Sequence, residues 1–134
     1  MILVDTSVRL FDRRRFRLTD VVRADQIAVC GTIIQEVLQG TRGDDFREKQ
    51  KMLLHTHLVD LPLPLNRFEY AAEIYRSLRV LGITIRSAND CLIAATAILN
   101  RIELLHADRD FDYIAEITNL EARNINPSAS AARS

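Results

Sequence analysis

The chain has 134 residues, enough for one domain with a single sizeable core and too few for two ordinary ones. Hydrophobic residues make up 48% and charged residues 27%, which excludes wholesale disorder, and no apolar run approaches the ~20 residues that span a bilayer. Lys+Arg and Asp+Glu each number 18, so the net charge of zero excludes a uniformly basic nucleic-acid coat.

Residues 1–4 form an apolar run closed by Asp5-Thr6-Ser7, the pattern of a buried parallel strand. Residues 26–30 are a second such run. Gly31 breaks it, and Thr32 with Gln35 reads as a capping box opening a helix to about residue 39. A charged amphipathic helix follows over 44–57, with apolar positions at Phe46, Met52, Leu53 and Leu54. Residues 58–61 read as a third strand, ended by Pro62 and Pro64. The spacing of Phe68, Ala71, Ala72, Tyr75, Leu78 and Leu81 predicts a helix over 66–81, which Gly82 stops. Ser87 and Asp90 resemble a second capping box, and the helix they open is apolar all round from 91 to 99, so it is expected to be buried. A fourth strand over 103–106, a helix over 109–117 and a weaker fifth strand over 120–125 complete the pattern. The domain is expected to span 1–126, with an Ala/Ser-rich, frayed tail over 127–134.

Strands alternating with helices predict an α/β fold with a parallel sheet between helical layers. Right-handed crossovers and a central first strand give the order 3-2-1-4-5, with a ligand crevice at the carboxyl ends between strands 1 and 4.

Composition narrows the chemistry further. Cys30 and Cys91 build neither a disulfide framework nor a zinc site, and the charge at Asp5 comes too early for a signal peptide, which fits a cytoplasmic protein. Trp is absent and aromatics are 6%, which excludes a stacking surface for single-stranded bases. Charge is uneven along the chain: residues 9–17 carry a net +4 and residues 102–116 a net −4.

The acids gather at the expected crevice. Asp5 follows strand 1, Asp108 and Asp110 follow strand 4, and Glu36 and Asp90 lie in the first turns of their helices. Each has a structural alternative: Asp90 in its capping box, Glu36 at a positive helix end, Asp108 as an N-cap and Asp110 as a first-turn acid. Asp5 has no cap to serve. Five carboxylates at one rim repel one another unless a cation neutralises them, and an all-oxygen set suits Mg²⁺ or Mn²⁺. Several other residues read as structural. Cys30, Cys91 and Phe111 are expected in the core, His55, His57 and Asp112 at the surface, and His106 near the acids without a catalytic role.

These stretches, taken together, resemble the PIN-domain ribonucleases, in particular the VapC-type toxins of bacterial toxin–antitoxin pairs. The matching segments are Met1-Ile2-Leu3-Val4-Asp5-Thr6-Ser7-Val8, Ile33-Ile34-Gln35-Glu36-Val37-Leu38-Gln39-Gly40, Gly82-Ile83-Thr84-Ile85-Arg86, Asn89-Asp90-Cys91-Leu92-Ile93-Ala94-Ala95-Thr96-Ala97 and Leu104-Leu105-His106-Ala107-Asp108-Arg109-Asp110-Phe111. The resemblance implies a three-layer PIN-like fold and a metal-dependent endoribonuclease. It places Asp5, Glu36, Asp90 and Asp108 on the catalytic acidic quartet and adds Asp110 as a frequent fifth member. Asp5, Asp90, Asp108 and Asp110 are then metal ligands, and Thr6 or Ser7 supports the first Asp or a phosphate. It also implies a Mg²⁺ cofactor with Mn²⁺ as a substitute, an RNA substrate cut to leave a 3′-hydroxyl and a 5′-phosphate, a cognate antitoxin and a homodimer. Arg9 departs from the family, which often has Trp there. Arg13, Arg14 and Arg15, in the basic run, are candidate phosphate-positioning residues.

A haloacid-dehalogenase-like phosphatase is disfavoured, because that pattern needs a second Asp where this chain has Ser7. A receiver domain is disfavoured as well, because nothing in this chain resembles its paired N-terminal acids and late Lys. A non-catalytic interaction domain on the same fold remains the alternative.

Overall fold

A computed structural model of the protein describes residues 1–8, 22–59 and 64–126. The strands are β1 (Ile2–Val4), β2 (Ile27–Val29), β3 (His57–Leu58), β4 (Glu103–His106) and β5 (Ala122–Asn124). The helices are α1 (Gly31–Gln39), α2 (Asp45–Leu54), α3 (Pro64–Val80), α4 (Ala88–Asn100) and α5 (Arg109–Ile117). The strands form one sheet in the order β3-β2-β1-β4-β5, as expected, and every neighbouring pair is parallel. Strand β1 is central. Leu3 sits opposite Ala28 on one side and Leu104 on the other, and Asp5 N–H extends the ladder to the Leu105 carbonyl at 3.0 Å.

Both faces of β1 are buried, which explains its unbroken apolar run. Leu3 and Leu104 join a core built with Ile33, Leu53, Ile74, Leu78, Ile93, Phe111 and Ile114, to which each of the five described helices contributes. Ile2, Val4, Ile27 and Leu105 face the other way, with Val8 and Val22. Those two valines bracket residues 9–21. The basic run there, with Arg9, Arg13, Arg14 and Arg15, lies outside the described residues, as do 60–63 and the tail 127–134.

Several local expectations need correction. Helix α1 starts at Gly31 with Cys30 as its N-cap, so Thr32 falls inside the first turn and forms no capping box. Ser87 is the N-cap of α4, but its hydroxyl makes no cap bond; only its carbonyl accepts from Asp90 N–H, at 3.1 Å. The capping explanation of Asp90 therefore falls away. Strand β3 begins at His57, a residue earlier than expected, and Val59 N–H continues the pairing to the Val29 carbonyl at 2.8 Å. On α3 the buried stripe is Ala71, Ile74 and Leu78, with Tyr75 half-buried. Phe68, Ala72 and Leu81, expected inside, are exposed. The reason is the neighbour: α3 packs on α4, whose apolar surface needs only a narrow i, i+3, i+7 seam to cover it.

Gly82 does end that helix. At φ +81° its N–H bonds to the Arg79 carbonyl while Ile83 N–H reaches back to Leu78, the double bond of a left-handed helix stop. Helix α4 is buried at Asp90, Cys91 and Ile93–Ala97, with Leu92 and Ile98 half-buried, but Leu99, expected inside, is exposed. No described helix is long and apolar enough to cross a membrane.

Candidate metal centre

The carboxyl ends of β1 and β4 lie side by side, and the chain leaves each with an acid. Asp5 is 4% exposed. Its Oδ2 accepts from Ser7 N–H at 3.0 Å and from Ser7 Oγ at 2.5 Å. The same Ser7 Oγ accepts from Ala107 N–H at 2.9 Å, so one hydroxyl ties the end of β1 to the end of β4. Of the two hydroxyls expected to support Asp5, it is the Ser7 hydroxyl that reaches its carboxylate. Thr6 contributes its backbone N–H.

After β4, Asp108 caps α5, its carboxylate accepting from Asp110 N–H at 3.0 Å. Asp110 is buried in the first turn of α5, and Asp90 is buried in the first turn of α4. Oxygens of Asp90, Asp108 and Asp110 lie within 4.8 Å of one another, close enough to hold a metal ion. Asp5 and Glu36 lie outside that triad but act on it electrostatically.

Burial, then the charges of Asp5, Asp108, Glu36 and Asp110, push the Asp90 carboxyl from 3.8 up to about 8. Asp90 is thus held largely protonated at neutral pH unless a cation compensates. Asp5 is raised by burial, against which the Ser7 hydrogen bonds pull down. Glu36 is raised by burial and then by Asp5, while the Asn89 amide pulls it down. The Oε1 of Glu36 is buried with no hydrogen-bond partner. A buried oxygen without a hydrogen bond and three carboxyls raised by burial, two of them further by neighbouring acids, suit a site that holds a cation, and oxygen donors fit a hard divalent ion. The donor set accordingly fits the metal that the resemblance implies.

Two features escaped the sequence reading. Arg86 reaches into the cluster. Its Nη2 donates to Asp108 Oδ1 at 2.7 Å, and its Nε and backbone N–H each donate to Asp110 Oδ2 at 3.2 Å. The signal was a single Arg in the short loop between Gly82 and the acid-bearing α4. The second feature is a buried polar line behind Asp108. His106 is fully buried and stacks obliquely on Phe111, with ring centroids 5.1 Å apart. Its Nδ1 accepts from Asp108 N–H at 3.3 Å, which leaves the proton on Nε2, 3.6 Å from Asp112 Oδ1. Asn124 Nδ2 donates to Asp112 Oδ2 at 2.9 Å. Asp112, expected at the surface, is therefore partly buried and serves β5. Burial lowers the His106 pKa, so the ring is neutral at physiological pH. Cys91, beside the acids, is pushed from 9.0 up to about 11 by burial and then by Asp90, so its thiol stays protonated. His55 and His57 are exposed, as expected.

A parallel α/β sheet with a carboxylate centre at its switch point is the class that fold and site define. The PIN domain model matches residues 2–117, and the chain belongs to the PIN-domain family. It is 40% identical to VapC ribonuclease Mb1587 of Mycobacterium bovis, over 91% of this chain and 97% of that protein. Ribonuclease VapC11 of Mycobacterium tuberculosis matches equally, at 40% over the same shares. Among solved structures, VapBC2 from Rickettsia felis, bound to a DNA fragment from its promoter, superposes with a TM-score of 0.71 at 20% identity. That match covers 94% of this chain and all of the other.

Proposed function

We propose that the protein is a metal-dependent endoribonuclease, the toxin of a toxin–antitoxin pair, with residues 1–126 as its nuclease domain. The observation that carries the reading is the Asp90–Asp108–Asp110 triad at the switch point, with Asp5 and Glu36 beside it. Support for RNA as substrate comes from relatives that are named ribonucleases and that this chain matches almost end to end. Support for an antitoxin partner comes from the VapBC neighbour.

In this reading Asp90, Asp108 and Asp110 hold Mg²⁺, or Mn²⁺ in its place, with Asp5 completing the ligand set from β1. The ion supplies Lewis-acid activation of a water and of the scissile phosphodiester. Glu36, carrying a buried unpaired oxygen and a raised pKa, takes up the proton of the attacking water. Ser7 fixes the Asp5 carboxylate, and Thr6 lies beside it at the rim. Arg13, Arg14 and Arg15 position RNA phosphates from the basic run. The antitoxin covers the acidic crevice. A second copy of the chain packs on the helical face, where α3 leaves Leu65 and Phe68 exposed.

The test is cleavage of RNA by purified protein and growth arrest on expression without a partner. Wild type should cut in Mg²⁺ and stop in EDTA, and Asp5→Ala, Glu36→Ala and Asp90→Ala should neither cut nor arrest growth. Cleavage that persists in EDTA, or an Asp5→Ala protein as toxic as wild type, refutes the reading in favour of a non-catalytic interaction domain.

A further inference from the structure

Among the described residues, Arg86 is the one Lys or Arg side chain that contacts the five-acid cluster. It does so through two carboxylates of the candidate triad at once, bonding one oxygen of Asp108 at 2.7 Å and one of Asp110 at 3.2 Å. The two acids are not equivalent. Asp110 is 4% exposed and is also held by the Arg86 backbone N–H, whereas Asp108 is 25% exposed. Among the described residues the guanidinium is anchored only by this cluster, and the side chain is 66% exposed. Its own pKa is raised by the Asp110 hydrogen bond and then by the charges of Asp108 and Asp110, so it carries its charge at all accessible pH values.

We propose that Arg86 is a built-in counter-cation that competes with the divalent ion for Asp108 and Asp110 and so weakens metal binding by the free protein. This rests on the metal-site reading above. A guanidinium bonded to two ligand carboxylates neutralises part of the charge that attracts a dication and occupies an oxygen of each. The ion can enter only by drawing those carboxylates away from Arg86 or by accepting a fixed positive charge beside it. Arg86 thereby gives the metal-free protein a stability that such a cluster otherwise lacks, at the expense of metal affinity. A purely structural arginine has a different signature, because its loss lowers stability with and without metal alike.

The experiment measures Mn²⁺ affinity calorimetrically without RNA, together with melting temperatures in EDTA and in saturating Mn²⁺, for wild type, Arg86→Gln and Arg86→Lys. Arg86→Gln should bind Mn²⁺ about three- to tenfold more tightly, the scale of an exposed but doubly bonded ion pair. It should melt lower in EDTA, and its Mn²⁺-induced rise should exceed that of wild type. Arg86→Lys keeps the charge but loses the fork that spans both carboxylates, so its affinity should rise by a smaller factor. That variant keeps a cation in the cluster and carries the test if Arg86→Gln does not fold in EDTA. Unchanged or weaker Mn²⁺ binding in the folded variants overturns the proposal while leaving the metal site intact. Absence of Mn²⁺ binding in wild type and variants alike overturns the metal reading itself.

Discussion

Neutralising Asp90 tests the electrostatics of the site without recourse to activity. Its carboxyl is moved from 3.8 in the unfolded chain to about 8 in the fold, by burial first and then by four neighbouring acids. Between those values the folded state keeps a proton that the unfolded state has released, so stability is intact below about pH 4 and is lost as pH rises through 8. About four units at ~1.4 kcal/mol each set an upper bound of ~6 kcal/mol. Asp5 and Glu36 are raised too and share the protons of the cluster, so the part belonging to Asp90 is about half, ~3 kcal/mol. Asp90→Asn removes that cost. In EDTA at pH 8.5 it should melt roughly 8–15 °C above wild type, while at pH 4.5 the two should nearly coincide. Saturating Mn²⁺ should reverse the order, because the ion stabilises the charged carboxylate that the variant lacks. The assay is a thermal melt followed by circular dichroism across pH 4.5–9. A wild-type melting temperature that does not fall between pH 5 and 8.5 in EDTA, or an Asp90→Asn protein that melts lower at pH 8.5, would show that the acids are not mutually strained.

Further outcomes follow from single contacts. Ser7→Ala removes a hydrogen bond to Asp5 and leaves the Ala107 N–H without its partner, so it should cost about 1–3 kcal/mol in urea unfolding and slow cleavage with little change in RNA binding. Gly82→Ala, at φ +81° with open space around it, should cost about 1 kcal/mol through backbone strain alone, with cleavage unaffected. Leu78→Ala should cost about 3–4 kcal/mol, because the side chain is fully buried between α3 and the core. Replacing Arg13, Arg14 and Arg15 together should weaken RNA binding and flatten its dependence on salt, with cleavage retained at low salt.

The sheet order was legible because β1 is short, wholly apolar and buried on both faces, and β4 carries a buried Leu104-Leu105 pair at its centre, a pattern that leaves few parallel topologies. The acids were legible because each follows a strand or lies in the first two turns of a helix that this topology turns toward one rim. Local rules failed where tertiary packing outweighed them. Thr32 and Ser87 carry capping signals that the helix starts do not use, and Phe68 fits a helical stripe whose inner width α4 restricts to Ala71, Ile74 and Leu78. The role of Arg86 is invisible in the sequence, since nothing in a linear chain says that a loop arginine meets two acids 22 and 24 residues later. The same holds for Asp112, whose partners on β4 and β5 become neighbours only through the sheet.

The Ser7 hydroxyl, bonded to Asp5 on one side, meets the Ala107 N–H across 100 residues of sequence. Asp5 and Glu36 are made well before Asp108 and Asp110, and β1 gains its β4 neighbour only once residues 103–106 exist. A nascent chain on the ribosome thus carries two acids of the centre without the strand that brings them to the others, and folding cannot assemble the pocket piecemeal. A centre split in this way has no partial form: β4 must join β1 in the sheet before the acids of the two strands face one another.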